Sequence, residues 1–473
     1  MTDRFDLVVA NARLRGRGDI VYHIGIRGGR IAAIEPSPLR GDVGLDADGN
    51  LVTPAFVNAH LHLDKVYTFS MAGEEARQAY TGRQMGQAMT AIELAARVKD
   101  RYEEGWIHRH ARRALLEGLK HGVTHVQAFA DTDTRGRLEG VGALLRLREE
   151  WRGVVEVRVV AFPQDGVLRD PGAEAYVRQA LEMGADVVGG IPWIEHTDRD
   201  AQEHIDHMLD LARAFDRDVA MLTDDAGDPG LRTTEMLAAA AIREGWTGRV
   251  TACHARAMGL YPEPYFRRLL GLIRRAGMSF VTDPHTGPLH LRVWDLLEAG
   301  VPVALGQDDI ADAYYAFGQH NLLEVVFLAA HILGRSTTRE LDLLLDMITT
   351  QAARVLRVAD YGLEVGRAAH LVVLEGSTVL DVITRHRPPR YVISRGRLVA
   401  QTTGTTTFHA SPPRRGGLRG RMKERQGGGR GLEPVAEGPE ANQCESIFVN
   451  LMGREGKSHG GRLQGGPRGR RRG

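Results

Sequence analysis

Three observations predict a TIM (β/α)8 barrel carrying a small composite β domain. Roughly eight short β-rich runs, each ending in polar residues, alternate with helix-like segments over about residues 53–354, and that is the unit count that closes such a barrel. The runs are rich in Val, Ala and Ile without strict alternation, as in a parallel sheet buried on both faces. Both ends of the chain instead alternate apolar and polar residues between Gly, Asp and Pro, the style of short antiparallel strands. The expected division is 1–52 with 355–402 as one β domain, 53–354 as the barrel, and 403–473 as a disordered tail.

The elements follow in order. "DLVVANARL", "DIVYHIGIRGGRIAAIEP" and "GLDADGNLVTP" supply the first β segments. The barrel strands are then "LVTPAFVNAHLHLD", "GVTHVQAFAD", "VVEVRVVAFPQ", "ADVVGGIPWIE", "RDVAMLTDD", "GRVTACHAR", "MSFVTDPH" and "VPVALGQDD". Segments such as "WIHRHARRALLEGLKHG", "AQEHIDHMLDLARAF" and "EPYFRRLLGLIRRAG" carry helical periodicity between them. "MGQAMTAIELAARV" reads as an amphipathic helix with its Met and Leu facing a core. "YGLEVGRAAHLVVLE" and "PRYVISRGRLVA" return to the β style, and two separated stretches of one style suggest a single domain built from both ends. The Gly/Arg-rich remainder has few apolar residues and no periodicity, so it is expected to be disordered. It lacks the interleaved aromatics of a nucleic-acid-binding segment.

Composition narrows the function. The chain has 473 residues and a formal net charge of +1, which gives no reason to expect a nucleic-acid or membrane partner. Two cysteines, Cys253 and Cys444, make no disulfide framework and suit a reducing compartment. The first residues, "MTDRFDLVVANARL", show no basic segment followed by a long apolar one, and no apolar run is long enough to span a bilayer. A cytoplasmic protein is expected. "GRGDIVYHIGIRGG" has glycines but no phosphate-binding fingerprint.

In "NAHLHLDK" two imidazoles stand one residue apart. On a strand, alternate side chains share a face, so His60 and His62 point together and can grip one cation. Barrel chemistry sits at the C-terminal ends of the strands. There the sequence places His60 and His62, Gln164, Trp193 and Glu195, Asp224 and Asp225, His254, Asp283 and His285, and Asp308 and Asp309. Cys253 adjoins His254 and by alternation faces the surrounding helices, a packing position.

"TPAFVNAHLHLDK", "VVAFPQDGVL", "GADVVGGIP", "VTACHARAM" and "GQDDIADAYYAFG" resemble bacterial cytosine deaminase of the amidohydrolase superfamily, in order, over about residues 5–402. The resemblance implies hydrolysis of a heterocyclic C–N bond by water activated on one divalent metal (iron, zinc or manganese), a small-molecule substrate and a homo-oligomer. It makes His60 and His62 the first metal ligands, Asp308 a ligand that also handles a proton, and His254 a catalytic residue beside the metal. Gln164 would bind the ring edge, and Tyr314 stands where the family has a tryptophan lining the pocket.

Three positions depart from the pattern. Leu222 replaces a ligand histidine, with Asp225 for the catalytic glutamate after it; Phe129 lies near a family histidine; Gln307 replaces a histidine before the metal aspartate. Leucine cannot coordinate, so the missing ligand must come from His254, from Asp224, which strand parity puts on the face of Leu222, or from His285. Asp225 and Asp308 are the proton carriers, and Phe129, Leu222 and Trp193 make a more apolar pocket than cytosine needs. The alternatives are an amide, urea or thiocarbamate hydrolase using the same site, and a non-catalytic relative that has lost its metal.

Overall fold

The computed structural model describes residues 4–73 and 88–404. The Gly/Arg-rich segment from residue 405 on, and the start of the helix expected around residue 85, lie outside the described residues; the helix itself runs Ala88–Ala95.

Strand β1 (Phe5–Leu14) is the hub of the smaller domain. It pairs antiparallel with β2 (Val21–Arg27), which turns back into β3 (Arg30–Glu35), and parallel with β4 (Gly41–Asp46) and β5 (Leu51–Pro54). The turn between β2 and β3 needs positive φ at Gly28 and Gly29, and a side chain on Gly29 would press on the Arg395 carbonyl 3.0 Å away. From the far end of the chain, β14 (Leu371–Val373), β15 (Tyr391–Ser394) and β16 (Arg397–Gln401) extend the sheet from β5. Leu7, Val9, Ile24, Ile26, Leu371 and Ile393 form its core, so residues from both chain ends bury one another.

A single residue, Ala55, carries the chain from β5 into β6 (Phe56–Leu61), the first barrel strand. It is followed by β7 (Val123–Asp131), β8 (Glu156–Phe162), β9 (Val187–Gly190), β10 (Asp218–Thr223), β11 (Val250–His254), β12 (Ser279–Thr282) and β13 (Val303–Leu305). These eight strands pair in sequence order, every pair parallel, and a bridge between Leu61 and Asp308 brings the two edges together. Every residue of β7 and β11 is buried. Burial on both faces is why these strands carry no polar alternation.

Along β10 and β11 the side chains separate into two layers. Val219, Met221, Val250 and Ala252 pack outward among the helices, while Ala220, Leu222 and Cys253 join Val57, Ala59, Val160, Val281 and Ala304 inside the barrel. Cys253 thus faces inward, contrary to the expectation from His254. The reason lies at the strand end: His254 and Ala255 have φ of 64° and 44°, so the backbone leaves strand geometry and the alternation between Cys253 and His254 breaks. Among the described residues no helix is long and apolar enough to cross a membrane.

Candidate active site

The hydrogen bonds that close the barrel also set the site. The Asp308 amide donates to the His60 carbonyl (2.9 Å) and the His62 amide to the Asp308 carbonyl (2.8 Å), so the ends of β6 and β13 are tied at these residues. Asn58, buried, accepts from the amides of His60 (3.3 Å) and Gln307 (3.1 Å) and pins both strands. Asp308, like His254, sits at positive φ (66°), a conformation that costs energy in a non-glycine residue and concentrates at functional sites. Room is tight: a Cβ on Gly306 would lie 2.5 Å from Asp283 Oδ1 and 2.7 Å from His60 Cβ. Gly306→Ala is expected to lower stability by roughly 1–3 kcal/mol and to displace His60, read by urea denaturation alongside metal content; an unchanged midpoint with full metal would contradict the packing.

Four ligand-type atoms converge at the mouth. His60 Nε2 is 3.3 Å from His62 Nε2 and 3.4 Å from Asp308 Oδ1. Asp308 Oδ1 is also 3.8 Å from His62 Nε2 and 3.7 Å from His254 Nε2. Ligand atoms about 2.1 Å from one first-row cation lie about 3–3.5 Å from their neighbours, so the residues present would fit a metal. Burial pushes the His62 and His254 imidazoles well below their ordinary range, leaving them neutral with lone pairs to give. Asp283 Oδ2 lies 3.4 Å from His254 Nδ1, and Asp283 is itself close enough to His60, His254 and Asp308 to offer a further ligand oxygen.

The other Asp308 oxygen faces protein. Thr286 donates its hydroxyl to Oδ2 (2.7 Å) and itself receives Arg256 Nη2 (2.6 Å), while Arg256 Nη1 is paired with Asp225. Three buried or nearly buried carboxyls, those of Asp225, Asp283 and Asp308, thus surround one guanidinium. Burial, and after it the charge of Asp308, pushes Asp283 and Asp309 well above the usual carboxylate range. Burial likewise brings Asp225 to about 6, with Arg256 opposing. Three buried carboxyls around the Arg256 guanidinium make an environment that a divalent ion relieves.

The pocket at this mouth is lined by His62, Gln164, Leu222, Asp225, His254, Asp308, Asp309 and Tyr314 from the sequence-predicted set, together with Ile92, Ile191, Arg256, Thr286 and Tyr315. Other expected members do not line it. Asp224, at φ 48°, turns out of the strand and caps the following helix, accepting from the Thr233 amide (2.7 Å) and hydroxyl (2.7 Å), the Thr234 amide (3.1 Å) and the Tyr261 hydroxyl (2.7 Å). Its carboxylate is saturated there and does not reach the histidines. Trp193, in a 3-10 turn at Pro192–Ile194, packs in the apolar cluster that includes Leu222 and does not line the pocket. His285 is half-buried, with Nε2 donating to the Gln307 carbonyl at 3.2 Å, so that nitrogen is not presented to the cluster. The Phe129 ring stacks 4.1 Å from His60 and 5.3 Å from His62, an apolar wall against the imidazoles.

Glu195 has a structural role. It accepts from the amides of Val167 (2.6 Å), Leu168 (3.2 Å) and Arg169 (2.8 Å) and from His204 Nδ1 (2.7 Å), clamping the loop after Gln164. Burial opposes its ionisation, but His204 and the amides outweigh it and hold the carboxyl below its usual range. Its stabilisation is therefore full above the unfolded value of about 4.3 and is lost as pH falls below it. Glu195→Ala is expected to cost roughly 3 kcal/mol or more and to flatten the acid side of the stability profile, measured by denaturation between pH 3 and 7.

The sequence model of the amidohydrolase family matches residues 107–400, more than half of the chain. The chain belongs to the amidohydrolase family. The N-isopropylammelide isopropyl amidohydrolase of Pseudomonas sp. (strain ADP) is 33% identical over 408 residues, covering 85% of this chain and 98% of that one. A pterin deaminase of Rhizobium rhizogenes is 28% identical over 75% of this chain and 82% of its own. Among solved structures, 5-methylcytosine deaminase from Klebsiella pneumoniae superposes with a TM-score of 0.77 at 28% identity, covering 85% and 99% of the two chains. This amidohydrolase is an enzyme that hydrolyses heterocyclic or amide C–N bonds of small molecules, and its family is metal-dependent.

Proposed function

We propose that this amidohydrolase releases an amino or alkylamino group from the ring of a nitrogen heterocycle, using one divalent metal held by His60, His62, His254 and Asp308. The observation that carries the reading is that Asp308 Oδ1 lies 3.4, 3.8 and 3.7 Å from the Nε2 atoms of His60, His62 and His254, with the His60 and His62 nitrogens 3.3 Å apart. His254 then takes the coordination place that Leu222 vacates, rather than acting only beside the metal. A divalent metal in such a set supplies an acidified water and a positive charge for a developing oxyanion; iron, zinc and manganese all accept it. Asp225 lines the pocket with a carboxyl near 6 and takes a proton and passes it to the leaving nitrogen, with Asp308 the second carrier. Arg256, fixed between Asp225 and Thr286, holds that geometry. Ile92, Ile191 and Leu222 offer an apolar patch in the same pocket, which favours an alkyl substituent on the leaving nitrogen. We place the enzyme in the cytoplasm on its cysteine usage, and a homo-oligomer on its resemblance.

The test is release of ammonia or alkylamine from N-isopropylammelide, 5-methylcytosine and pterin by protein loaded with zinc, iron or manganese. Turnover of at least one, abolished by chelator and restored by metal, is expected. Metal-loaded protein inert on all three, or full activity after chelation, would sink the reading.

A further inference from the structure

Lys65 lies just after the histidine pair and is 2% exposed, although its ammonium must be hydrogen-bonded to survive burial. It donates to Asp131 Oδ1 at 2.7 Å and to Gln164 Oε1 at 3.1 Å. Asp131 in turn accepts from the Tyr102 hydroxyl (3.1 Å), and its backbone N–H donates to Asp64 Oδ2 (2.8 Å), so the lysine is anchored from behind. Gln164 lines the pocket and Lys65 does not.

This arrangement decides which end of the Gln164 amide the substrate meets. An ammonium has donors and no acceptor, so only the amide oxygen can face it. The NH2 end, which has no hydrogen-bond partner among the described residues, is left toward the pocket. A glutamine free to rotate would serve ring edges of either polarity. One pinned through its oxygen serves only acceptors, since a donor facing the NH2 leaves both groups unpaired.

We propose that Lys65, from behind the pocket wall, locks the Gln164 amide with its oxygen inward and its NH2 toward the substrate, so that the site selects heterocycles presenting a hydrogen-bond acceptor there. Lys65 is a positioning residue acting through Gln164. The inference rests on the heterocycle reading above, but binding alone tests it. Cytosine and 2,4-diaminopyrimidine share a ring and a 4-amino group and differ at position 2, an oxygen acceptor against an amino donor.

Dissociation constants of the two rings are measured by calorimetry on the full chain loaded with zinc. The protein is expected to prefer cytosine by roughly 10- to 100-fold. Lys65→Met frees the amide and brings the ratio toward one, and Lys65→Arg, which still donates, retains it. Gln164→Glu leaves Lys65 its partner and turns an acceptor to the pocket, so the preference inverts. Lys65 also stands 3.4 Å from His62 Nδ1, so zinc content is measured in each variant and ratios are compared at equal loading. A merely structural lysine would change both affinities together and leave their ratio alone. Equal binding of the two rings, failure of both to bind, or an unaltered preference in both Lys65→Met and Gln164→Glu would overturn the proposal. Discrimination by a protein that hydrolyses nothing would instead remove the hydrolase reading and leave the orientation of Gln164 standing.

Discussion

Replacing His254 with asparagine is expected to empty the metal site and to lower turnover by roughly a thousandfold or more, about 4 kcal/mol of transition-state stabilisation. Asparagine is the better substitution than alanine because residue 254 has φ of 64°, a region that asparagine enters at lower cost. The fold should therefore survive, and near-wild-type thermal unfolding of the metal-free forms of both proteins would show it. The paired control is Asp224→Ala, which strips the cap from the helix Thr233–Arg243 and leaves the Tyr261 hydroxyl without its carboxylate. That variant is expected to lose stability, roughly 1–3 kcal/mol, and to keep its metal. Elemental analysis of the two proteins separates the ligand candidates directly. Metal retained in His254→Asn and lost in Asp224→Ala would reverse the assignment.

How far the sequence could be read depends on where the backbone stays regular. The strand and helix units and the two-ended β sheet were legible because periodicity and punctuation report buried faces over whole elements. His60 and His62 were legible too, and both come to the cluster. They do so on a strand whose register with β7 shifts between Asn58 and Leu61, a bulge that no residue type announces. Alternation failed at the ends of β10 and β11. There Asp224, His254 and Ala255 adopt positive φ without a glycine to signal it, which sends Asp224 outward, lets Cys253 face in, and still delivers His254 to the site. Trp193 is not in the pocket lining: Pro192 starts a 3-10 turn just after β9, and the indole packs in the apolar cluster that includes Ile191 and Leu222. Asn58, Arg256 and Thr286 were missed altogether. Each acts on a neighbour rather than on a ligand, although an arginine two residues after a site histidine was a usable sign of buried carboxylates nearby.

The two oxygens of Asp308 have different tasks, and that division predicts a graded pair of variants. Oδ1 faces three imidazoles, and Oδ2 accepts from Thr286 at 2.7 Å with Arg256 Nη2 3.8 Å away. Asp308→Asn keeps the shape but removes the charge, and an amide nitrogen in either position meets trouble. Turned to the cluster, it offers a donor where a cation needs a lone pair; turned to Thr286, it faces another donor. Turnover is expected to fall by roughly a thousandfold or more, with weakened metal retention. Thr286→Val removes only the outer hydrogen bond and frees one arm of Arg256, which remains paired with Asp225. Its expected cost is that of an orienting partner, roughly 10- to 100-fold in metal affinity or activity. Metal titration and kcat/KM on each variant check the gradation. If Thr286→Val proved as damaging as Asp308→Asn, Oδ2 would be the oxygen that matters to the chemistry, and the orientation of the carboxylate derived from the three histidines would be wrong.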